Sequence, residues 1–478
     1  MMAFKINPSI FRAYDIRGVV SEDLSTEFAR TLGLAYAQLL KGRKPVADRK
    51  HLTIAVGRDC RLSSKEYADA LIEGLLSGGL DVVRLGLCPT PLTYFSLFHL
   101  DLDGAIMITA SHNPPNQNGF KICIGRDAIY GSKLQELRLM VEGHPQKNEI
   151  SGSVSDYDIA SAYIQYQLKQ FPSLKKKKIV IDAGNGMAGP LAPKLLRMYG
   201  IDVIELYCEL DGQFPNHIPD PTVAKNLVDL IRSVKFHQAD FGIGFDGDAD
   251  RIGIVDENGK QIAGDELLVI FSRAILTNHP GATVVSEVKS SLRLYQDIKS
   301  RGGHPIMWKT GHSLIEAKMK ETNALLGGEL SGHIFFADKY FGFDDAIYAA
   351  LRLLEITSNR ERPLSSLLND LPITVSTPEM RVPFEDSLKF KLVEEVKRLL
   401  LSNPALAKAT VTDIDGIRID FEDGWGLMRA SNTQPIVSFR FEALSNKRVK
   451  ELKLFFEDAV SKVCRILNHA PLKFEHRV

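Results

Sequence analysis

Residues 52–59, LTIAVGRD, run into 63–79, SSKEYADALIEGLLSGG, and then into 80–86, LDVVRLG. The outer stretches are short β-rich apolar runs. The middle one carries apolar residues at helical spacing and stops at Gly78-Gly79, so the whole reads strand, helix, strand. The order returns in KKIVIDAGNG (177–186), PLAPKLLRMYG (190–200) and IDVIELY (201–207). It returns again in ATVVSEVKSS (282–291), LRLYQDIKSRGG (292–303) and HPIMWKTG (304–311). Three such units predict three related α/β domains, with ligand loops at the carboxyl ends of their strands.

After about residue 370 the texture changes. VSTPEMRVPF (375–384), ATVTDIDGIRIDF (409–421) and PIVSFRFEALS (435–445) read as antiparallel strands around the helical stretch SLKFKLVEEVKRLLLS (387–402), and a final helix follows. The expected architecture is α/β. Residues 1–157, 158–260 and 261–371 form three similar domains with mixed, mostly parallel sheets, and residues 372–478 form a smaller α+β domain. A chain of 478 residues suits several cores better than one.

Lys+Arg and Asp+Glu both number 59, so no net charge draws the chain to nucleic acid or to an anionic membrane. Cys60, Cys88, Cys123, Cys208 and Cys464 are odd in number and contain no CxxC pair. That suits a reducing compartment and argues against a structural zinc or a disulfide framework. MMAFKINPSIF lacks the apolar core of a signal peptide, and no apolar run has membrane-spanning length. The expected location is the cytoplasm.

The chemistry-bearing residues sit in short polar stretches. TASHNPPNQNGFK (109–121) follows the apolar strand DGAIMI, so Ser111 and His112 lie on a loop at a strand end. DGDADRIGIVDE (246–257) resembles an EF-hand loop, but its sixth position is Arg251 and IGIVDENGKQI reads as a hairpin turning at Asn258-Gly259. Three alternating carboxylates remain, Asp246, Asp248 and Asp250, a donor set for Mg2+. GNGMAG (184–189) fits the dinucleotide pattern GxGxxG, with Glu205 near the end of the next strand. It reads better as a glycine turn for close packing, because a dinucleotide would leave the other stretches unexplained.

GGELSGH (327–333) places Glu329, Ser331 and His333 on a glycine-rich loop able to accept from sugar hydroxyls; taken alone it reads better as a turn. RASNTQP (429–435) is equally a phosphate cradle built on Arg429 or a helix or turn cap at Ser431 or Asn432. KTGHS (309–313), EVKSS (287–291) and FRAYDIRG (11–18) add His312, Lys289, Tyr14 and Arg17 on loops at strand ends.

Taken in order, FRAYDIRG, TASHNP, GFK, DGDADR, KTGHS, GELSGH and RASNT resemble the motif series of the α-D-phosphohexomutase superfamily, in its bacterial phosphomannomutase/phosphoglucomutase branch. The resemblance runs from about residue 8 to about residue 460. It implies four domains around a central cleft, and an isomerase that interconverts hexose 1-phosphate and hexose 6-phosphate, of mannose or glucose, through a phosphoserine and a 1,6-bisphosphate. Ser111 would carry the phosphoryl group and, with Asp246, Asp248 and Asp250, hold one Mg2+. Arg17, Lys121, Arg251 and Lys289 would stabilise phosphoryl charge. Arg429, Ser431, Asn432 and Thr433 would grip the phosphate that is not reacting. Glu329 and Ser331 would read sugar hydroxyls, and Tyr14, His312 and His333 would line the substrate, the two histidines as candidates for proton transfer. Glucose or mannose 1,6-bisphosphate would be the activator and intermediate, and the family precedent is a monomer.

GELSGH with RASNT points to the glucose/mannose branch rather than to the glucosamine branch, with its GEQSGH and RxSGTE. Ala110 and Ala249 stand where that branch often has glycine, and Gln434 where threonine is common; neither alanine removes a ligand. The rival readings are a Ser/His acyl hydrolase, a phosphatase whose phosphoserine is intercepted by water, and a sugar-phosphate sensor. No GxSxG elbow surrounds Ser111, and an adjacent histidine is poorly placed as its base.

Overall fold

The computed structural model describes residues 6–43, 52–358, 362–432, 434–470, 472 and 474. Thr433 therefore lies outside the described residues. The quoted first unit is a strand Thr53–Arg58, a helix Ser64–Ser77 and a strand Asp81–Leu87. Gly78 caps the helix, and Gly79 takes a left-handed φ of +76°. Equivalent units are Lys178–Asp182, Ala192–Met198 and Asp202–Leu206, then Thr283–Glu287, Leu292–Ser300 and His304–Trp308.

In each unit the first strand is central. It pairs in parallel with the strand that closes the unit and, on its other side, with a third strand: Gly104–Ile108, Phe241–Phe245 or Leu326–Gly328. Each third strand runs into a loop and returns as an antiparallel neighbour, Gln117–Ile124, Ile252–Asp256 or Ile334–Phe336. The three loops, 109–116, 246–251 and 329–333, are thus equivalent positions in three copies of one topology. Each carries a left-handed residue that turns the chain: Ser111 at φ +54°, Ala249 at +61° and Gly332 at +88°. Gly332 has no alternative, since a Cβ there would lie 2.3 Å from the Ile252 carbonyl oxygen.

The first three domains share one continuous core. Phe95 and Tyr94 of the first, Ile179 and Phe245 of the second, and Tyr348 and Phe336 of the third belong to the same buried cluster. The fourth domain has a core of its own. Its sheet is antiparallel throughout, in the order Val375–Ser376, Ile436–Ala443, Gly424–Ala430, Ile417–Phe421, Thr410–Thr412, with Met380–Pro383 also on Ile436–Ala443. Helices Lys389–Leu401 and Asn446–Ile466 bury Leu392, Val396, Leu452 and Phe456 with the residues of one sheet face. It meets the third domain through a small apolar cluster, Val288 with Trp425 and Leu427, and through buried polar contacts: Arg418 donates to the carbonyls of Val288 and Ser290, and Arg440 pairs with Asp265. Among the described residues no helix is long and apolar enough to cross a membrane, and all five cysteines are free.

Candidate active site

Ser111 is 1% exposed, and its hydroxyl donates to Asp246 Oδ2 at 2.6 Å. His112 Nδ1 lies 3.0 Å from Ser111 Oγ. With the proton directed at Asp246, the serine is tied to the aspartate loop rather than to the histidine. Asp246, Asp248 and Asp250 are fully buried, and one oxygen of each lies within 4.8 Å of the others. Burial, then the neighbouring carboxylates, push Asp246 well above the usual carboxylate range. Burial acts the same way on Asp248 and Asp250, but Lys121, 2.8 Å from Asp248 and in contact with Asp250, holds both below it. Asp248 Oδ1 and Asp250 Oδ1 are buried and, among the described residues, have no hydrogen-bond partner. Orphaned carboxylate oxygens beside a serine hydroxyl suit a hard divalent cation.

Contacts among the other expected residues lead from this loop into all four domains. Arg17 Nη1 donates to Asn113 Oδ1 at 3.0 Å and to the Ala110 carbonyl at 3.3 Å, beside the serine. Arg251 Nε donates to His333 Nε2 at 2.8 Å, and the other ring nitrogen lies 2.7 Å from Asp344. His312 lies between Tyr14, which it meets edge-on, and His333, with ring centroids 5.8 and 5.4 Å away. Burial holds both histidines down to about 4, so at neutral pH the rings are uncharged. Glu329 accepts from Gly311 N at 2.5 Å and from Ser331 Oγ at 3.2 Å. The Tyr14 hydroxyl donates to the Thr310 carbonyl and accepts from Asn432 Nδ2, joining first, third and fourth domains. Arg429 pairs with Asp415 at 3.0 Å. Ser431 Oγ accepts from Gln434 N at 3.1 Å, so it also fills the turn-capping role.

Several residues of the site left no mark in the sequence reading. Arg61 is fully buried, and its guanidinium donates to the carbonyls of Ser111, Asn113, Pro114 and Gln117 at 2.6–3.0 Å. It thereby fixes the loop that presents the serine. Thr90, between Pro89 and Pro91, donates to Asp248 Oδ2 at 2.5 Å through its hydroxyl and to the Asp248 carbonyl through its amide. Asp344 orients His333, and Asp415 ties Arg429 to Thr310 N. The GNGMAG turn packs against the aspartate loop: a Cβ on Gly186 would lie 2.7 Å from the Gly247 carbonyl oxygen. Glu205 pairs with Arg197 on the surface. The glycines serve packing, as expected.

Comparison with known proteins bears on this arrangement. Four family models match in order: phosphoglucomutase/phosphomannomutase alpha/beta/alpha domain I over residues 8–137, domain II over 161–259, domain III over 263–375, and the C-terminal domain over 379–459. A phosphomannomutase/phosphoglucomutase of Pseudomonas aeruginosa is 43% identical over 458 residues, 95% of this chain and 96% of that protein. A phosphoglucomutase of Neisseria gonorrhoeae is 42% identical over 459 residues, 95% and 97% of the two chains. The crystal structure of a phosphoglucomutase/phosphomannomutase family protein from Burkholderia thailandensis superposes with a TM-score of 0.89 at 40% identity, covering 98% of this chain and all of that one.

Proposed function

The chain belongs to the phosphoglucomutase/phosphomannomutase family, and from that premise we propose that it interconverts the 1- and 6-phosphates of glucose and mannose by phosphoryl transfer through Ser111. The observation that carries this reading is the 2.6 Å hydrogen bond from Ser111 Oγ to Asp246. It sets the only serine of the loop against three buried carboxylates. Asp246, Asp248 and Asp250 would hold one Mg2+, with the phosphate on Ser111 as a further ligand. A bound Mg2+ supplies charge neutralisation to phosphoryl oxygens, which transfer of this kind needs more than a strong base.

Phospho-Ser111 gives its group to the free hydroxyl of a hexose monophosphate, the O–P bond to serine breaking as the bond to the sugar oxygen forms. The 1,6-bisphosphate turns over within the cleft, and its other phosphate returns to Ser111. Arg17, Lys121 and Arg251 stabilise the transferring group, and Lys289 binds substrate phosphate. Arg429, Ser431, Asn432 and Thr433 hold the idle phosphate, and Glu329 and Ser331 accept sugar hydroxyls. His333 Nε2 accepts from Arg251 in the free protein. When that guanidinium turns to the phosphate, the nitrogen is released to take the hydroxyl proton, and Asp344 steadies the resulting charge from the other side. Every residue of the cycle comes from one chain, which we read as a monomer. Because the fourth domain has a core of its own, it is the part that moves to admit and reorient the sugar.

The test is turnover of glucose 1-phosphate and mannose 1-phosphate with Mg2+ and catalytic glucose 1,6-bisphosphate. Formation of hexose 6-phosphate without inorganic phosphate, abolished by a chelator and restored by Mg2+, is expected. Stoichiometric phosphate release would instead mark a phosphatase, and no turnover of either sugar would refute the reading.

A further inference from the structure

The face of the fourth-domain sheet opposite its helices carries the apolar pair Trp425 and Leu427 against Val288 and, beside it, a polar row. Across three neighbouring strands Arg381 pairs with Ser438, and Ser438 with Arg429. Directly paired residues of antiparallel strands project from the same face, with strands about 4.8 Å apart. Arg381 therefore stands in one row with the arginine of the proposed phosphate cradle, two strands away, with Ser438 between them. The next residue along each strand, Met380, Phe439 and Met428, turns the other way into the domain core.

Two observations mark this row as a ligand surface. Ser438 is 2% exposed, yet its hydroxyl has no hydrogen-bond partner among the described residues. Such a buried group is costly unless something satisfies it. The second is Glu379. Its Oε2 lies 3.3 Å from Arg381 Nη2 and 3.6 Å from Lys289 Nζ. Both are longer than the roughly 2.7–2.9 Å of a good charge-assisted bond. Burial would push this carboxyl up, but Lys289, Arg381 and Arg429 together hold it far below the usual range. Glu379 thus bridges Arg381 and Lys289 only loosely, while Lys289 also faces Glu287 at 3.5 Å and Arg429 is paired with Asp415; a tetrahedral dianion would reach more of these cations. Arg381 is 44% exposed, against 6% for Arg429 and 7% for Lys289, so it is free to turn towards an incoming anion.

We propose that Arg381 and Ser438 extend the phosphate-binding surface of loop 429–435 across the sheet, and that Glu379 holds the place of the substrate's phosphate monoester until that group displaces it. This rests on the hexose-phosphate reading above. Glucose 6-phosphate binding is measured by calorimetry on the full chain carrying Ser111→Ala, which prevents transfer. Arg381→Ala should weaken binding about tenfold, with Arg381→Lys recovering part of the loss, and Ser438→Ala about threefold. Glu379→Gln should tighten binding, a direction that damage to the fold would not produce. Binding weakened by Arg429→Ala but within twofold of the parent in Arg381→Ala and Ser438→Ala overturns the extension and leaves the mutase reading standing. Weaker binding in Glu379→Gln overturns the stand-in role. No binding by the parent overturns both.

Discussion

Arg61→Lys is the substitution that best separates a loop held by design from one held by its own sequence. The guanidinium makes four bonds to carbonyls of the Ser111 loop and lies 3.2 Å from Asp59, with no exposure to solvent. Lysine keeps the charge opposite Asp59 but has three donors on one nitrogen, so about two of the carbonyls lose their partner. At about 1–2 kcal/mol for each buried acceptor left unmatched, stability should fall by about 2–4 kcal/mol. Ser111 also sits at φ +54°, a conformation costing about 1–3 kcal/mol that its surroundings must impose. A loosened loop should relax from it and misplace the hydroxyl. Phosphorylation of Ser111 by glucose 1,6-bisphosphate, followed by intact mass, should then slow by about 100-fold. Urea unfolding gives the stability. Arg58→Lys is the control, because among the described residues that guanidinium hydrogen-bonds only the Asp59 carbonyl, at 3.4 Å, and should change stability by about 0.5 kcal/mol at most. An Arg61→Lys protein with parental stability and parental phosphorylation rate would refute the reasoning.

Glu316 is mostly enclosed, its side chain 13% exposed, and loss of solvent, against the pull of Lys320, raises its carboxyl from 4.5 to about 7. Between those values the folded state keeps a proton that the unfolded state has lost, so stability falls as pH rises through this window, by about 3 kcal/mol in all, and levels off above it; unfolding at pH 5 and pH 8 should show Glu316→Gln losing about 2–3 kcal/mol less than the parent. Tyr14→Phe removes the hydroxyl shared by Thr310 and Asn432, and steady-state kinetics should show KM for hexose phosphate rising about fivefold with a smaller change in kcat. Asp344→Asn leaves His333 without its carboxylate; kcat should fall about 100-fold while KM stays within about threefold.

The strand, helix, strand units were legible because apolar spacing and glycine stops are local signals, and so were the three aspartates, crowded into five residues of one loop. The equivalence of the three site loops was not, although DGAIMI, FGIGF and the run before GGELSGH were each visible as apolar. Recognising it requires knowing that each strand pairs with the first strand of its own unit and returns antiparallel. Thr90 escaped for a similar reason: its partner Asp248 is 158 residues away, and a threonine between two prolines signals only a turn or a helix start. Asp344 was hidden beside Asp345, which faces Tyr163 and Tyr340 instead. Arg61, three residues beyond a strand, had the look of a solvated surface charge until the fold enclosed it.

The central claim is that Ser111 carries a phosphoryl group. Intact mass with phosphopeptide mapping on the purified protein, before and after glucose 6-phosphate or mannose 6-phosphate, tests it most directly. A single phosphate on Ser111 that the sugar phosphate removes as bisphosphate appears is the expected result. A Ser111 that stays unmodified, even after glucose 1,6-bisphosphate and Mg2+, would contradict it.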